Sequence, residues 1–160
     1  DDGVEGFRPV AELTAPVIQL HELAVGETVG YGATFQPLTR RRLATVALGY
    51  GDGYPRAASN RGAAFLGGAL CPIAGRVSMD LIVLDVTDAK TPPQPGDRAE
   101  FFGRNLPIDK AAASCGTIGY ELLTGVGGLA RPRIGLGGRV RRRYLWNGAP
   151  APSDLVGAEG

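Results

Sequence analysis

Short apolar runs, each ended by glycine, proline or polar residues, recur along most of the chain. Runs of roughly four to eight such residues between turn signals are typical of β-strands. We predict strands at Pro16–Leu23, Val29–Phe35, Leu43–Tyr50, Ala63–Leu66, Leu70–Ala74, Leu81–Val86, Arg98–Gly103 and Arg139–Trp146. Gly67 and Gly68 stand between two of these runs and indicate a two-residue hairpin turn.

Helical signals are few and short. Asp109 is predicted to cap a helix over Lys110–Cys115 that ends at Gly116, and Ile118–Leu123 has the length of a further short helical turn. Closely spaced short strands with a helical insert are typical of barrels and sandwiches. We therefore predict a mainly β fold, a barrel-like domain of short strands with one or two short helices.

The composition is that of a single globular domain. The chain has 160 residues, of which 44% are hydrophobic and 21% charged, and these values exclude a disordered or collagen-like chain. Lys and Arg total 17 against 16 Asp and Glu, a net charge of +1, so the charge does not favour nucleic acid or an anionic membrane. No apolar run approaches the roughly 20 residues of a membrane span. We expect neither a nucleic-acid nor a membrane partner.

Most residues able to carry chemistry have a structural explanation. The sequence has no nucleophile elbow, phosphate-binding loop or metal-ligand signature, so we expect no metal site. His21, on a predicted strand, is interpreted as structural, and Cys71 as a small buried hydrophobic residue. Cys71 and Cys115 lack metal-type spacing, which favours a reducing, cytoplasmic compartment. The arginines within 40–42 and 139–143 are interpreted as a solvated turn and a charged strand edge.

Glycines flank aromatic and polar residues in three segments, Gly30–Gly32, Gly49–Tyr54 and Gly75–Asp80. Glycine at such positions lets the backbone turn sharply or lets another molecule approach closely. From the residues alone, these segments are either parts of a functional site or ordinary strand-end turns with tyrosines packed on the barrel rim.

Eight motifs between Phe7 and Leu145 follow one another in a distinctive order and spacing. They are F-R-P-V at 7–10, V-G-Y-G-A-T-F at 29–35, G-Y-G-D-G-Y-P-R at 49–56, S-N-R-G at 59–62, P-I-A-G-R-V-S-M-D at 72–80, P-G-D at 95–97, T-I-G-Y-E-L-L-T-G at 117–125 and A-R-P-R at 130–133. Each motif alone is weakly specific, but the ordered set strongly resembles the C-terminal β domain of pyridoxal-phosphate-dependent alanine racemases.

This resemblance implies a two-domain enzyme that interconverts L- and D-alanine for peptidoglycan. In the family, a lysine of an N-terminal (β/α)8 barrel binds pyridoxal phosphate covalently, and neither Lys90 nor Lys110 has the context of that lysine. Residues 1–12 are then the lead-in from the missing barrel, 13–147 the β domain and 148–160 a flexible tail. Family members are cytoplasmic homodimers in which each β domain completes its partner's active site. Because the chain lacks the cofactor lysine, the isolated fragment is expected to be inactive.

The resemblance also implies roles for particular residues. Tyr31 is the second acid/base, which acts on the face of the substrate opposite the lysine. Met79 binds the substrate carboxylate through its backbone N–H, and Tyr120 reaches the cofactor phosphate and narrows the entrance. The remaining residues implied for the entrance and its gate are Tyr50, Arg76 and Asp80.

The sequence departs from the family pattern at a few positions. Gly119 replaces a commoner asparagine, Gly51 a commoner alanine, and the family's R-V-P-R reads A-R-P-R at 130–133. These changes bear on the gate and the dimer rather than on the reaction class. Two alternatives stay open: a broad-specificity or serine-preferring racemase of the same architecture, and a stand-alone β-barrel module that binds nucleic acid through its arginines.

Overall fold

The computed structural model describes residues 10–30, 32–127, 141–146 and 149–150. The strands are β1 (Ala11–Leu23), β2 (Arg41–Val46), β3 (Ala63–Leu66), β4 (Ala69–Pro72), β5 (Ile82–Asp85), β6 (Arg98–Phe102), β7 (Arg141–Trp146) and β8 (Ala149–Pro150). The α-helices are α1 (Ile108–Ser114) and α2 (Gly119–Gly127), and single 3-10 turns lie at Tyr50–Asp52 and Arg56–Ala58.

Six of the strands form an almost closed antiparallel barrel. Their order is β4-β3-β6-β1-β2-β5, and Ile73, directly after β4, pairs with Leu84 of β5 and so brings the two ends of the sheet together. The first half of β1 pairs with β6 and the second half with β2, while β7 pairs with the start of β1 and with β8. The structure confirms the predicted mainly β, barrel-like fold with one or two short helices, of which the described residues contain two.

Alternation along β1 shows how the core is filled. Leu13, Ala15 and Val17 are at most 1% exposed and point to the same side, because successive side chains of a strand face opposite sides. Phe101 of β6 lies in the same cluster, together with Leu122 of α2. Both helices therefore pack on the barrel core. Within the described residues neither helix is long and apolar enough to cross a membrane.

The hairpin prediction is confirmed, and one strand prediction is wrong. Ala63–Leu66 and Ala69–Pro72 pair across Gly67 and Gly68, whose φ angles of 58° and 78° suit the left-handed turn that glycine favours. Val29–Phe35, predicted as a strand, is instead a loop whose two ends form a single bridge. The positive φ angles of Gly30 and Gly32 curl this segment back on itself.

Several boundaries differ from prediction, and the first strand begins at Ala11, five residues before the predicted Pro16. The strand predicted over Leu43–Tyr50 ends at Val46, where the chain enters its glycine-rich loop. Asp109 was predicted as a helix cap, but Pro107 occupies the cap position of α1. The Asp109 carboxylate lies instead against Gly119 at the start of α2. Residues 128–140, 147–148 and 151–160 lie outside the described residues, as does most of the predicted tail.

The residues predicted to be structural lie in ordinary surroundings. Cys71 is 1% exposed, and its thiol faces the Leu66 carbonyl oxygen at 3.6 Å. Arg40 is exposed and pairs with Glu22 at 3.3 Å, as expected of a solvated turn. The turn prediction is wrong for Arg41 and Arg42, which begin β2, and Arg41 is half-buried and pairs with Asp85 at 3.6 Å. The part of the chain that the structure describes holds no group of three or more residues suited to a metal ion.

The Cys71 thiol makes the stability of the fold depend on alkaline pH. Burial, together with the carboxylates of Asp85 and Asp88, raises its pKa from 9.0 to about 11. The folded state therefore keeps a proton that the unfolded chain releases, so this contribution to stability is complete below pH 9 and is lost as the pH rises to about 11. We expect the free energy of unfolding, measured by urea denaturation, to fall by about 1–2 kcal/mol across this window.

The matched variant is Cys71→Ala, which removes the titrating group. It lowers stability at every pH because it leaves a small cavity, so the slopes against pH are compared rather than the absolute values. We expect a flatter decline in the variant. Equal slopes in the two proteins would show that Cys71 is not the group that titrates.

Candidate functional site

Two loops form the walls of an open groove at one side of the barrel. One follows β2 and the other lies between β4 and β5. The groove has a volume of about 850 Å³. Its lining residues are Tyr50, Arg56, Arg76, Val77, Ser78, Met79, Asp80 and Leu81. The structure thus brings together four residues that the family resemblance assigned to the site, namely Tyr50, Arg76, Met79 and Asp80.

Backbone hydrogen bonds hold the Met79 segment against the loop after β2. The Tyr50 N–H donates to the Ser78 carbonyl oxygen at 3.0 Å, and the Gly51 N–H donates to the Met79 carbonyl oxygen at 2.8 Å. Gly49 lies so close that a Cβ there would overlap the Met79 carbonyl group. A glycine is therefore required at position 49 by contact with another segment, although its backbone is extended, with φ of −153°.

The Met79 N–H is available for a ligand. The Met79 carbonyl is used by Gly51, but no hydrogen bond within the described part of the chain uses the Met79 N–H. The residue is 52% exposed at the groove, whereas its neighbour Val77 is 1% exposed and anchors the segment in the core. A rigidly held backbone donor without an acceptor among these residues suits an anionic acceptor such as a carboxylate.

Two arginines give the groove a positive potential. Arg56 and Arg76 are both exposed, and neither guanidinium has an ion-pair or hydrogen-bond partner among the described residues. A cleft lined by charge of one sign raises the local concentration of ligands of the opposite sign. Asp80 adds one carboxylate beside them. The groove is therefore suited to small molecules that carry an anionic group.

Sequence reasoning did not identify Arg56, Ser59 and Asn60, although two motifs contain them. Asn60 exchanges two hydrogen bonds with Gly75, at 2.7 and 3.1 Å, and its amide also donates to Thr34 at 3.3 Å. The Ser59 hydroxyl accepts from the Val77 N–H at 3.0 Å. These residues tie the groove segment to the loop after β1, and the S-N-R-G motif was the signal that could have indicated them.

Tyr31, the predicted acid/base, lies outside the described residues. Its two neighbours are described, and both lie against the Arg76 segment. A Cβ at Gly30 would lie 3.2 Å from the Arg76 backbone nitrogen, and a Cβ at Gly32 would lie 3.3 Å from an Arg76 guanidinium nitrogen. The segment that carries Tyr31 therefore adjoins a wall of the groove, and an arginine packs along it.

Tyr120 lies on a different element from the groove residues. It is 78% exposed in the first turn of α2 and does not line the groove in the described structure. Helix α2 nevertheless contacts a wall of the groove through its backbone. Gly125 in this helix touches Gly53 in the loop after β2. The structure thus relates Tyr120 to Tyr50 through one helix and one loop.

Neither lysine lies at the groove. Lys90 packs its side chain over the hairpin turn at Gly68, and Lys110 is exposed on α1. Within the described residues the groove thus offers guanidinium groups, a phenol and a backbone N–H, but no amine. This donor set fits the anionic groups of a cofactor or substrate and supplies no covalent attachment for an aldehyde.

His21 lies at a neighbouring groove rather than in an isolated surface position. It lines a depression of about 450 Å³ together with Gly30 and Arg76, on the outer wall of the barrel. That depression also shares Ser78 and Leu81 with the larger groove. In the part of the chain that the structure describes, no contact gives His21 a role beyond lining this wall.

The chain is similar to alanine racemases over most of its length. The family described as "Alanine racemase, C-terminal domain" matches residues 10–134. An alanine racemase of Stutzerimonas stutzeri is 45% identical over 140 residues, which cover 88% of this chain and 36% of that protein. One from Methylobacterium sp. is 48% identical over 128 residues, which cover 78% of this chain and 35% of that protein.

Solved structures show the same similarity. The biosynthetic alanine racemase of Pseudomonas aeruginosa superposes with a TM-score of 0.68 at 46% identity, over 72% of this chain and 32% of that chain. The alanine racemase of Bartonella henselae with covalently bound pyridoxal phosphate gives 0.69 at 38% identity, over 72% and 32%. This chain therefore spans about a third of the length of the relatives that it matches.

Proposed function

Because the chain belongs to the family of alanine racemase C-terminal domains, we propose that it forms the C-terminal part of a pyridoxal-phosphate-dependent alanine racemase. In this role it supplies the second acid/base of the reaction and one wall of the active site. The N-terminal barrel domain supplies the lysine that binds the cofactor, and the substrate is alanine. The enzyme works in the cytoplasm as a homodimer and provides D-alanine for peptidoglycan.

The Met79 N–H is the observation that carries this proposal. Met79 is a half-exposed residue of the groove, hydrogen bonds fix its segment, and no acceptor in the described structure occupies its N–H. Arg56 and Arg76 add positive charge around it. An amino-acid carboxylate bound to this N–H has its α-carbon held at a defined distance from the groove wall, as stereospecific proton transfer requires.

Racemisation needs two acid/base groups, since a proton leaves one face of the α-carbon and another returns to the opposite face. When bound, pyridoxal phosphate withdraws electrons from the α-carbon and so makes this proton transfer feasible. We assign one face to Tyr31 and the other to the lysine of the barrel domain. A phenol has a pKa of about 10, so it needs positive neighbours to act near neutral pH. The Arg76 guanidinium lies against Gly32, the residue after Tyr31, and we assign it this role.

Tyr120 is proposed to bind the cofactor phosphate and to narrow the entrance. Its exposed position in the first turn of α2 leaves its hydroxyl free to reach a group held by another domain. Tyr50 and Asp80 line the approach to Met79. Because this chain presents these groups at its surface rather than inside the barrel, the site is completed by a second surface, which we assign to the barrel domain of a partner subunit.

The isolated chain is expected to have no racemase activity. Neither lysine of the chain lies at the groove, so the chain has no residue placed to bind the cofactor covalently there. The measurement is D-alanine formation from L-alanine with added pyridoxal phosphate, for the 160-residue chain and for the full-length protein.

We expect activity only in the full-length protein. D-Alanine formed by the isolated chain would contradict the assignment of the cofactor lysine to the barrel domain. A full-length protein that racemises serine in preference to alanine would contradict the assigned substrate, and one that racemises neither would contradict the proposed function.

A further inference from the structure

The proposed function needs two segments of this chain at a fixed distance from each other. Loop 29–35 carries Tyr31, the assigned acid/base, and segment 75–79 ends at Met79, whose N–H is assigned to the substrate carboxylate. Both act on the same small molecule, because the α-carbon is bonded directly to the carboxylate. A displacement of about 1 Å between reacting groups can reduce a rate by about 10²-fold. The alignment of the two segments therefore matters for catalysis.

The two segments touch each other through glycines. A Cβ at Gly75 would lie 3.0 Å from the Val29 carbonyl oxygen, and a Cβ at Gly30 would lie 3.2 Å from the Arg76 backbone nitrogen. Both glycines have positive φ angles, 86° and 83°, which other residues adopt at a cost. This contact sets the spacing of the two segments, whereas directional hydrogen bonds are needed to fix their alignment.

Asn60 makes hydrogen bonds to both segments. Its side-chain oxygen accepts the Gly75 N–H at 2.7 Å, and its own N–H donates to the Gly75 carbonyl oxygen at 3.1 Å. Its side-chain amide donates to the Thr34 hydroxyl oxygen, in loop 29–35, at 3.3 Å. The φ of Asn60 is 54°, in the left-handed region that asparagine tolerates better than most residues. Asn60 thus links the loop of Tyr31 to segment 75–79.

The neighbouring serine anchors this link to the barrel core. The Ser59 hydroxyl accepts the Val77 N–H at 3.0 Å and donates to the Arg56 carbonyl oxygen at 2.6 Å. Val77 is 1% exposed, so segment 75–79 is fixed in the core, whereas Thr34 at the other end of the link is exposed. Asn60 therefore connects an exposed loop to a firmly held segment.

We propose that Asn60 is a positioning residue of the acid/base step, which aligns loop 29–35 with segment 75–79 and so places Tyr31 relative to the bound substrate. The inference rests on the proposed function, in which Tyr31 serves one face of the α-carbon and Met79 holds the carboxylate. Because Asn60 acts through loop 29–35, its loss affects proton transfer on the face of Tyr31 and leaves the face of the barrel-domain lysine unaffected.

The informative variant is Thr34→Val in the full-length protein. Valine has nearly the shape of threonine but offers no oxygen to Asn60, and both bonds between Asn60 and Gly75 remain. We expect exchange of the α-hydrogen in D₂O to slow by about three- to tenfold for the enantiomer that Tyr31 serves, and by less than about twofold for the other. Thr34→Ser keeps the hydroxyl and should restore the wild-type rate.

A double-mutant cycle with Asn60→Gly tests whether the two residues act together. Glycine adopts the φ of Asn60 without strain, and the variant loses the side-chain bonds to Thr34 and Gly75. Thr34→Val should then have no further effect in the Asn60→Gly protein. Asn105→Ala is the control for a general loss of stability. Its amide donates to Glu100 at 2.7 Å, away from the groove, so exchange of both enantiomers should stay within about twofold of wild type.

Three results would overturn the inference while leaving the proposed function standing. They are equal slowing of both enantiomers in Thr34→Val, wild-type exchange of both in that variant, and additive effects of Thr34→Val and Asn60→Gly. The proposed function is tested separately by racemisation in the wild-type protein and by Tyr31→Phe. If Tyr31→Phe showed no selective loss for one enantiomer, the role of Tyr31 itself would be rejected.

Discussion

Tyr31→Phe is expected to reduce kcat/KM for alanine racemisation by about 10³-fold in the full-length enzyme, within the range of general acid/base catalysis. The phenylalanine ring keeps the size of the side chain but has no proton to transfer. Binding of pyridoxal phosphate should be unchanged, because the cofactor is assigned to the lysine of the other domain. The absorbance of the bound cofactor and the rate in both directions of racemisation are the first measurements.

Exchange of the α-hydrogen in D₂O tests the role of Tyr31 more sharply. If Tyr31 serves one face and the lysine the other, the variant should still exchange the α-hydrogen of one enantiomer, while exchange of the other enantiomer is lost. Each enantiomer is incubated alone with the enzyme, and the loss of its α-hydrogen signal is followed by NMR. A general defect in folding or substrate binding would slow both alike.

Tyr54→Phe is the matched control for Tyr31→Phe. Tyr54 is 1% exposed and burial raises the pKa of its hydroxyl, so this phenol is held protonated in the core. Its loss should change kcat/KM by no more than about twofold. Equal exchange of both enantiomers by Tyr31→Phe, at the rate of Tyr54→Phe, would contradict the assignment of Tyr31.

Gly49→Ala is expected to destabilise the fold strongly, although it adds only one methyl group. Its Cβ would overlap the Met79 carbonyl group, which is backbone and is held by the Gly51 N–H at 2.8 Å. Neither the Met79 segment nor the loop after β2 can move away without breaking this hydrogen bond. We expect a loss of about 3 kcal/mol or more in the free energy of unfolding, together with a raised KM for alanine, as overpacking against a rigid neighbour predicts.

The control for Gly49→Ala is Gly26→Ala, which separates overlap from backbone strain. Gly26 has φ of 87° but nothing within 4 Å of its Cβ position, so only conformational strain of about 1–2 kcal/mol is expected, and KM should not change. Thermal unfolding and steady-state kinetics measure both effects. If Gly49→Ala proved as mild as Gly26→Ala, the close contact with Met79 would not be a constraint on the site.

The elements predicted correctly from sequence are those in which local signals agree. The hairpin at Gly67–Gly68 was predictable because positive φ angles at two glycines, between two short apolar runs, leave few alternatives. Val29–Phe35 was mispredicted because its apolar residues suggested a strand, while Gly30 and Gly32 adopt positive φ and close it into a loop. Asp109 failed as a cap because Pro107, two residues earlier, takes the cap position, which places Asp109 inside the first turn of α1.

The candidate site was predictable only in part. The motifs indicated Met79, Arg76, Tyr50 and Asp80, and the structure brings these four to one groove. The S-N-R-G motif marked Asn60 as a candidate, but it did not indicate that Asn60 joins the groove segment to the loop after β1. Its roles depend on partners 15 and 26 residues away, and such pairing cannot be read from local spacing.

By itself the sequence determined the kind of fold, the family and the identity of the groups offered for chemistry. These follow from strand-length apolar runs, glycine turns and an ordered set of motifs, all of which depend on residues close together in the chain. Only the tertiary structure decided which groups share a groove, that the Met79 N–H is available to a ligand, and that glycines 49, 53 and 125 bring three segments into contact. The physical reason is that close packing between distant segments depends on how the whole barrel closes. Whether a position requires glycine is decided there by the backbone that lies opposite it.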